Sequence, residues 1–322
     1  MTNHRLQRCL IAVTCCLCIP ASNGSARAQS QLQKVKPPVD ISLTTKDGVQ
    51  LKATYYPSNA GQDAVPVIML HDFAETRAVL EPLALALQNP RAPASPAAPK
   101  MESRAVVTVD LRGHGDSKTA FAADGSPVEL EATRFEVEDF ESMVVYDVEA
   151  VRSFLVEQND AGLLNLNKLC IVGSGMGANV AILWAARDWS APPLPVRKQG
   201  QDVKALALLS PQWNFRGLIL RDAMKFPPVQ QDISVLLAYG RADRKTADDV
   251  ENIEKVFARF HPEPPADQVQ LRKDFFVYDP DTRLQGTKLL NSREFAMGPK
   301  IAAFIEARLG GQNFPWLQRK KP

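Results

Sequence analysis

The residues most suited to chemistry lie in the run 168–181, KLCIVGSGMGANVA. A buried apolar strand runs into three alternating glycines and then into helix-forming residues. That pattern is a sharp strand-to-helix turn, which in G-x-S-x-G thrusts a serine hydroxyl out of the fold as a nucleophile. Here the outer glycines are Gly173 and Gly177, and the place of the serine is taken by Gly175. Glycine has no side chain and cannot attack a carbonyl. Ser174, one residue earlier, is the alternative nucleophile, but a nucleophile needs a base within hydrogen-bond reach, and the residue before the tip of such a turn packs into the fold.

Other groups with chemical potential are few. His71 ends an apolar run and His114 lies in a glycine-rich turn, both read as residues that hold loops. His261 precedes Pro262 and reads as a surface histidine, with a base role as the alternative. Neither H-E-x-x-H nor C-x-x-C occurs, so no metal and no cofactor is expected. The glycine cluster also resembles a phosphate-binding loop at a helix start, but the acidic residue expected about twenty positions later in a dinucleotide fold is missing.

These residues need a scaffold. Residues 39–45 and 49–56 alternate apolar and polar around a Lys-Asp-Gly turn and read as an antiparallel hairpin. Residues 65–70 form a continuous β-branched and apolar run, as in a strand buried on both faces, and 105–109, 169–172, 203–209 and 233–239 read as further strands of apolar character. Between them, helical spacing covers 77–88, 135–158, the stretch from the glycines to Trp189, 246–260 and 292–309. Residues 269–278 read as a further strand. Buried strands alternating with helices predict an α/β fold, a mostly parallel eight-stranded sheet with helices on both faces. Four prolines fall within 89–100, a density that marks a surface insertion. Residues 310–322 form a C-terminal tail, whose basic ending 318–322 reads as a solvated terminus.

Taken in order, these landmarks resemble the α/β-hydrolase family over residues 39–309. MLHDF (69–73) is similar to its strand end and oxyanion loop, DLRGHGDS (110–117) to its D-x-R-G-H-G-x-S loop, and LAYGRAD (237–243) to the strand that delivers a catalytic acid. QGT (285–287) stands where the family often has H-G-T. The resemblance implies that Asp243 is the residual acid, Gly175 the nucleophile position and Gln285 the base position. A glutamine amide cannot take a proton near neutral pH, so two of three triad roles are empty. The implied oxyanion donors are the amides of Phe73 and Met176, a cradle for a small carbonyl or acyl ligand. Asp72 stands where the family usually has glycine, and its charge would oppose an oxyanion unless it points away. Only about two dozen residues separate 209 from 233, so little or no cap domain and a shallow, open pocket are expected.

The chain has 322 residues. Its first 28 read as a signal peptide: Arg5 and Arg8, an apolar stretch from Leu10 to Ile19, and Ala26-Arg27-Ala28 as the cleavage site. Residues 29–38 follow as a linker. Export to the periplasm or the extracellular space is the expectation, with a retained anchor as the alternative. The segment holds three arginines and no acid, so its removal takes the formal charge from +2 to −1, and nothing points to a nucleic-acid partner. It also holds four of the five cysteines, leaving Cys170 without a partner for a disulfide. No integral span remains in the mature chain. The functional expectation is an exported, esterase-like protein that has become a non-catalytic pseudoenzyme acting in ligand or protein binding. The alternatives are an active ester or acyl hydrolase with a rearranged site, built on Ser174 or a bound water with Asp243, and an interaction module using the proline-rich insertion.

Overall fold

Burial follows the two strand patterns. In the computed structural model, which describes residues 35–91, 101–192, 194 and 198–320, strand β2 (Val49–Tyr56) alternates buried and half-buried side chains. Strands β3 (Pro66–Leu70), β4 (Ala105–Val109) and β7 (Leu169–Ser174) are buried at every position. The expected signal peptide, residues 1–28, and residues 92–100 of the proline-rich insertion lie outside the described residues.

The chain begins with β1 (Val39–Thr44), β2, β3, helix α1 (Glu81–Gln88) and β4. A short hairpin follows, β5 (Thr119–Phe121) and β6 (Pro127–Glu129). Helix α2 (Val137–Ser142) passes through a π turn at Met143–Asp147 into α3 (Val148–Asp160), then β7 and α4 (Met176–Ser190). Next come β8 (Val203–Leu209), a second hairpin of β9 (Asn214–Phe215) and β10 (Leu218–Ile219), α5 (Pro227–Gln231), β11 (Ser234–Ala238) and α6 (Arg244–Phe260). The last elements are α7 (Val269–Arg272), β12 (Phe275–Tyr278), α8 (Gly286–Leu290) and α9 (Met297–Ile305).

The main sheet runs β12-β11-β8-β7-β3-β4-β2-β5-β6, with β1 paired to β2. The pairs from β12 through β4 are parallel; β1, β2, β5 and β6 pair antiparallel. Each of the eight segments expected to be strands contains one, and β5 and β6 extend the sheet to ten. Phe140, Val151, Leu155, Trp184, Ile253 and Phe257 fill one face under α2, α3, α4 and α6, while Leu83, Leu87, Ile301 and Phe304 fill the other under α1 and α9.

Two expectations fail. Residues 269–278 are not one strand: Leu271 and Arg272 donate their amides to Gln268 O and Lys273 donates to Val269 O, making a helical turn before β12. The C-terminal tail is docked through its described residues, including Arg319 and Lys320 of the ending expected to be solvated, whose amides donate to Asp160. Asn159 Nδ2 donates to Leu317 O (3.0 Å), Asn165 Nδ2 to Phe314 O (2.8 Å), and Arg319 is buried beside Asp202.

Candidate active site

From β3 the chain crosses to β4 on one side and from the adjacent β7 it crosses to β8 on the other, and at such a switch point the loops after the neighbouring strands form a crevice. Leu70 of β3 pairs with Gly173 of β7. A Cβ on Gly177 would lie 2.5 Å from Leu70 O, so glycine there lets α4 start against β3. Two residues beyond each strand partner stand Asp72 and Gly175. Gly175 turns with φ +49° and ψ −113° and its amide donates to Leu209 O (2.8 Å).

The carboxylate of Asp72 fills the space that a side chain at 175 would take; a Cβ built there falls inside it. Asp72 Oδ1 accepts from the Phe73 amide (2.7 Å) and from the Met176 amide (2.8 Å). These are the two amides that the family resemblance implies as oxyanion donors. Asp72 therefore points in, contrary to the expectation of a cradle open to a ligand, and itself supplies the negative charge. Burial raises its carboxyl above the ordinary value, the Met176 and Phe73 amides pull it back down, Glu75 raises it and Lys288 lowers it. Glu75 fixes the loop: its Oε2 accepts from the Asp72 amide (3.2 Å) and its Oε1 from the Thr287 hydroxyl.

Gln285 joins three loops at the same sheet edge. Its Oε1 accepts from Ser210 Oγ (2.6 Å) and the Gly240 amide (3.1 Å), and its Nε2 donates to Gly240 O (2.7 Å). The side chain is a clamp between the ends of β8, β11 and β12, which needs both an acceptor and a donor. Asp243 lies three residues past Gly240 at the start of α6, half-buried, where its Oδ2 accepts from Thr246 Oγ1 (2.9 Å). Ser174 ends β7 wholly buried, and its Oγ has no hydrogen-bond partner. A Cβ on Gly286 would lie 2.6 Å from that oxygen, so the start of α8 sits over it.

The described histidines are engaged elsewhere. His71 Nδ1 donates to Asp72 O (2.7 Å) and its Nε2 accepts from the Leu111 amide (3.1 Å), a pairing that assigns a neutral ring. Burial pushes His71 down to about 4, so it stays uncharged near neutral pH. His114 Nδ1 donates to Arg112 O (2.9 Å), and His261 Nδ1 lies 3.0 Å from Asp274 Oδ1. The loop 110–117 braces the site as read: Asp110 accepts the Arg77 amide (2.6 Å) and the Asp116 amide (3.0 Å), while Arg112 Nε meets Asp147 Oδ1 (2.8 Å).

Aromatic rings gather around Phe73. Phe73 packs against Phe215 (centroids 5.8 Å apart), Phe140 (6.3 Å) and the His114 ring (5.5 Å). The β9–β10 hairpin carries Arg216, with its guanidinium 4.2 Å above the Phe73 ring. Sequence reasoning missed Ser210 and Glu75, the partners of Gln285 and of the Asp72 loop. Neither sits in a motif, and only the strand ends bring them in. Among the described residues no group of three or more His, Cys, Asp or Glu side chains could hold a metal. No helix among them is long and apolar enough to cross a membrane.

Comparison with known proteins agrees with this fold. No protein with a curated description matches the chain in sequence. The fold is shared with the Pyrococcus furiosus esterase Pf2001 (TM-score 0.55, 15% identity, 85% of this chain and 91% of that one). It is also shared with the Pyrobaculum calidifontis esterase (TM-score 0.51, 14% identity, 85% and 86%) and with the alpha/beta hydrolase GrgF from Penicillium sp. sh18 (TM-score 0.52, 15% identity, 85% and 99%). The sequence pattern described as "Alpha/beta hydrolase family" matches residues 67–310, three quarters of the chain, and the protein belongs to that family.

Proposed function

We propose that this protein is a non-catalytic member of the family, exported by its N-terminal leader, which acts by binding instead of by ester hydrolysis. One observation carries the reading: Asp72 Oδ1 takes both oxyanion amides and its carboxylate occupies the volume of the missing nucleophile. An acyl transfer needs those donors free when charge develops on the substrate oxygen. With the cradle filled, a small carbonyl ligand has no donors there, which favours a partner held on the protein surface. Ser174 as a substitute nucleophile would need exposure and a base, and it has neither among the described contacts. The run of Arg5, Arg8 and the Ala26-Arg27-Ala28 site supports export.

The test uses activated short-chain esters and a fluorophosphonate label. Wild-type protein is expected to give no turnover and no label. Turnover or labelling that vanishes in Ser174→Ala would overturn the proposal. The pair Gly175→Ser with Gln285→His is expected to stay inert, because the displaced Asp72 carboxylate remains beside the two amides and its charge opposes an oxyanion there. Adding Asp72→Gly is expected to produce weak esterase activity. A folded, inert triple variant would remove the support for assigning these positions to a former triad.

A further inference from the structure

The main sheet ends at β12 without a strand beyond it among the described residues. In a parallel pair, alternate residues turn both backbone groups toward the same neighbour. Asp274 O accepts from Val235 N (2.7 Å) and Tyr278 O from Tyr239 N (3.0 Å), so Asp274, Phe276 and Tyr278 face β11. Phe275 and Val277 therefore turn their N–H and C=O groups outward. The strand reads Phe275-Phe276-Val277-Tyr278, without charge or proline, and all four residues are half-exposed. Leu271 beside it is 74% exposed, the most exposed large apolar side chain among those described.

Proteins normally blunt such an edge with charge, proline or a very short strand. The opposite end of this sheet does so: β6 has three residues, with Pro127 and Glu129 among them. At β12 the charges stand only at the two ends. Lys273 precedes the strand and Asp279 follows it; within one chain they hold Glu263 (2.8 Å) and Arg241 (3.8 Å).

We propose that β12 is a self-association edge, at which two copies of this chain pair antiparallel about a two-fold axis through Phe276. That register sets Phe275 of one copy opposite Val277 of the other and uses every outward backbone group of both residues. It also sets Lys273 opposite Asp279 at both ends of the pairing, so the charges that flank the strand are complementary to their own images. A register centred on Phe275 or on Val277 does not pair Lys273 with Asp279. An edge this short gives a concentration-dependent dimer, not an obligate one. The inference does not depend on whether the protein is catalytic.

The experiment is sedimentation equilibrium with light scattering on the purified protein over a wide concentration range. Wild type is expected to dimerise. Val277→Pro removes an outward N–H that has no use within the sheet, so it is expected to yield a monomer with unchanged circular dichroism and melting temperature. Lys273→Glu and Asp279→Lys each place like charges at both ends and are expected to weaken the dimer by roughly tenfold or more. An equal mixture of those two variants restores both charge pairs and is expected to form the heterodimer. A wild-type protein that stays monomeric to its solubility limit overturns the proposal. So does a dimer indifferent to these substitutions, or a mixture of the charge variants that fails to associate.

Discussion

Placing a methyl group at residue 175 tests whether an elbow side chain and the Asp72 carboxylate compete for one volume. Two costs add in Gly175→Ala. The backbone there, at φ +49° and ψ −113°, strains any residue with a Cβ by about 1–3 kcal/mol. The new carbon also falls within the Asp72 carboxylate, which must leave the Phe73 and Met176 amides. A hydrogen bond to a charged group contributes about 1.5–3 kcal/mol, and water reaching this half-buried site restores part of the two lost. The expected total is about 4 kcal/mol. Asp72→Gly alone exposes the same amides to water and is expected to cost about 2 kcal/mol. In the combined variant the collision is gone, so the alanine adds only the strain. A double-mutant cycle should then show a coupling of about 2 kcal/mol or more, measured by urea unfolding followed through tryptophan fluorescence. If Gly175→Ala alone does not fold, Asp72→Gly must rescue it. Strictly additive costs, or a failed rescue, would refute the steric account.

Two more expectations concern stability. His71 is buried against His114 and Asp110, and burial takes it from its ordinary 6.5 down to about 4. A base with a depressed folded value is fully stabilising above the ordinary value and loses stability as pH falls toward the folded one, here about 3 kcal/mol between pH 6.5 and 4. The unfolding free energy of His71→Gln, followed over that window, should fall less steeply than that of wild type; parallel curves would deny the role. Arg319 Nη1 lies 2.7 Å from Asp202 Oδ1 and its Nη2 donates to Asn167 Oδ1 (2.7 Å), tying down the tail. Asp202 keeps Arg152 and Lys198, so Arg319→Ala is expected to cost about 2 kcal/mol, less than a buried pair left without any partner. An unchanged urea midpoint would show that the tail docks without stabilising.

What could be read in advance was whatever a local pattern controls. The alternation in β2 and the β-branched, mostly apolar run of β4 each follow from which faces are covered, so residue types alone locate them. Val269 and Leu271 mimic a strand by their spacing of two, yet the turn is decided by backbone bonds back to Gln268 that side-chain pattern does not report. The docked tail was hidden for the same reason, since its partners Asn159, Asn165 and Asp202 lie far away in sequence. Asp72 is the most instructive case. A carboxylate at that position is legible in the sequence, but its direction is not. The direction depends on the pairing of β3 with β7, which sets residue 72 beside residue 175. Once that pairing is known, the two departures from the motif become one change: the side chain absent at 175 leaves the room that the side chain added at 72 occupies. Loss of a nucleophile alone would leave two amides aimed into an empty cleft. Here both amides are satisfied by an anion of the chain's own, so the Asp72 carboxylate is part of the packing that holds β3, β7 and α4 together.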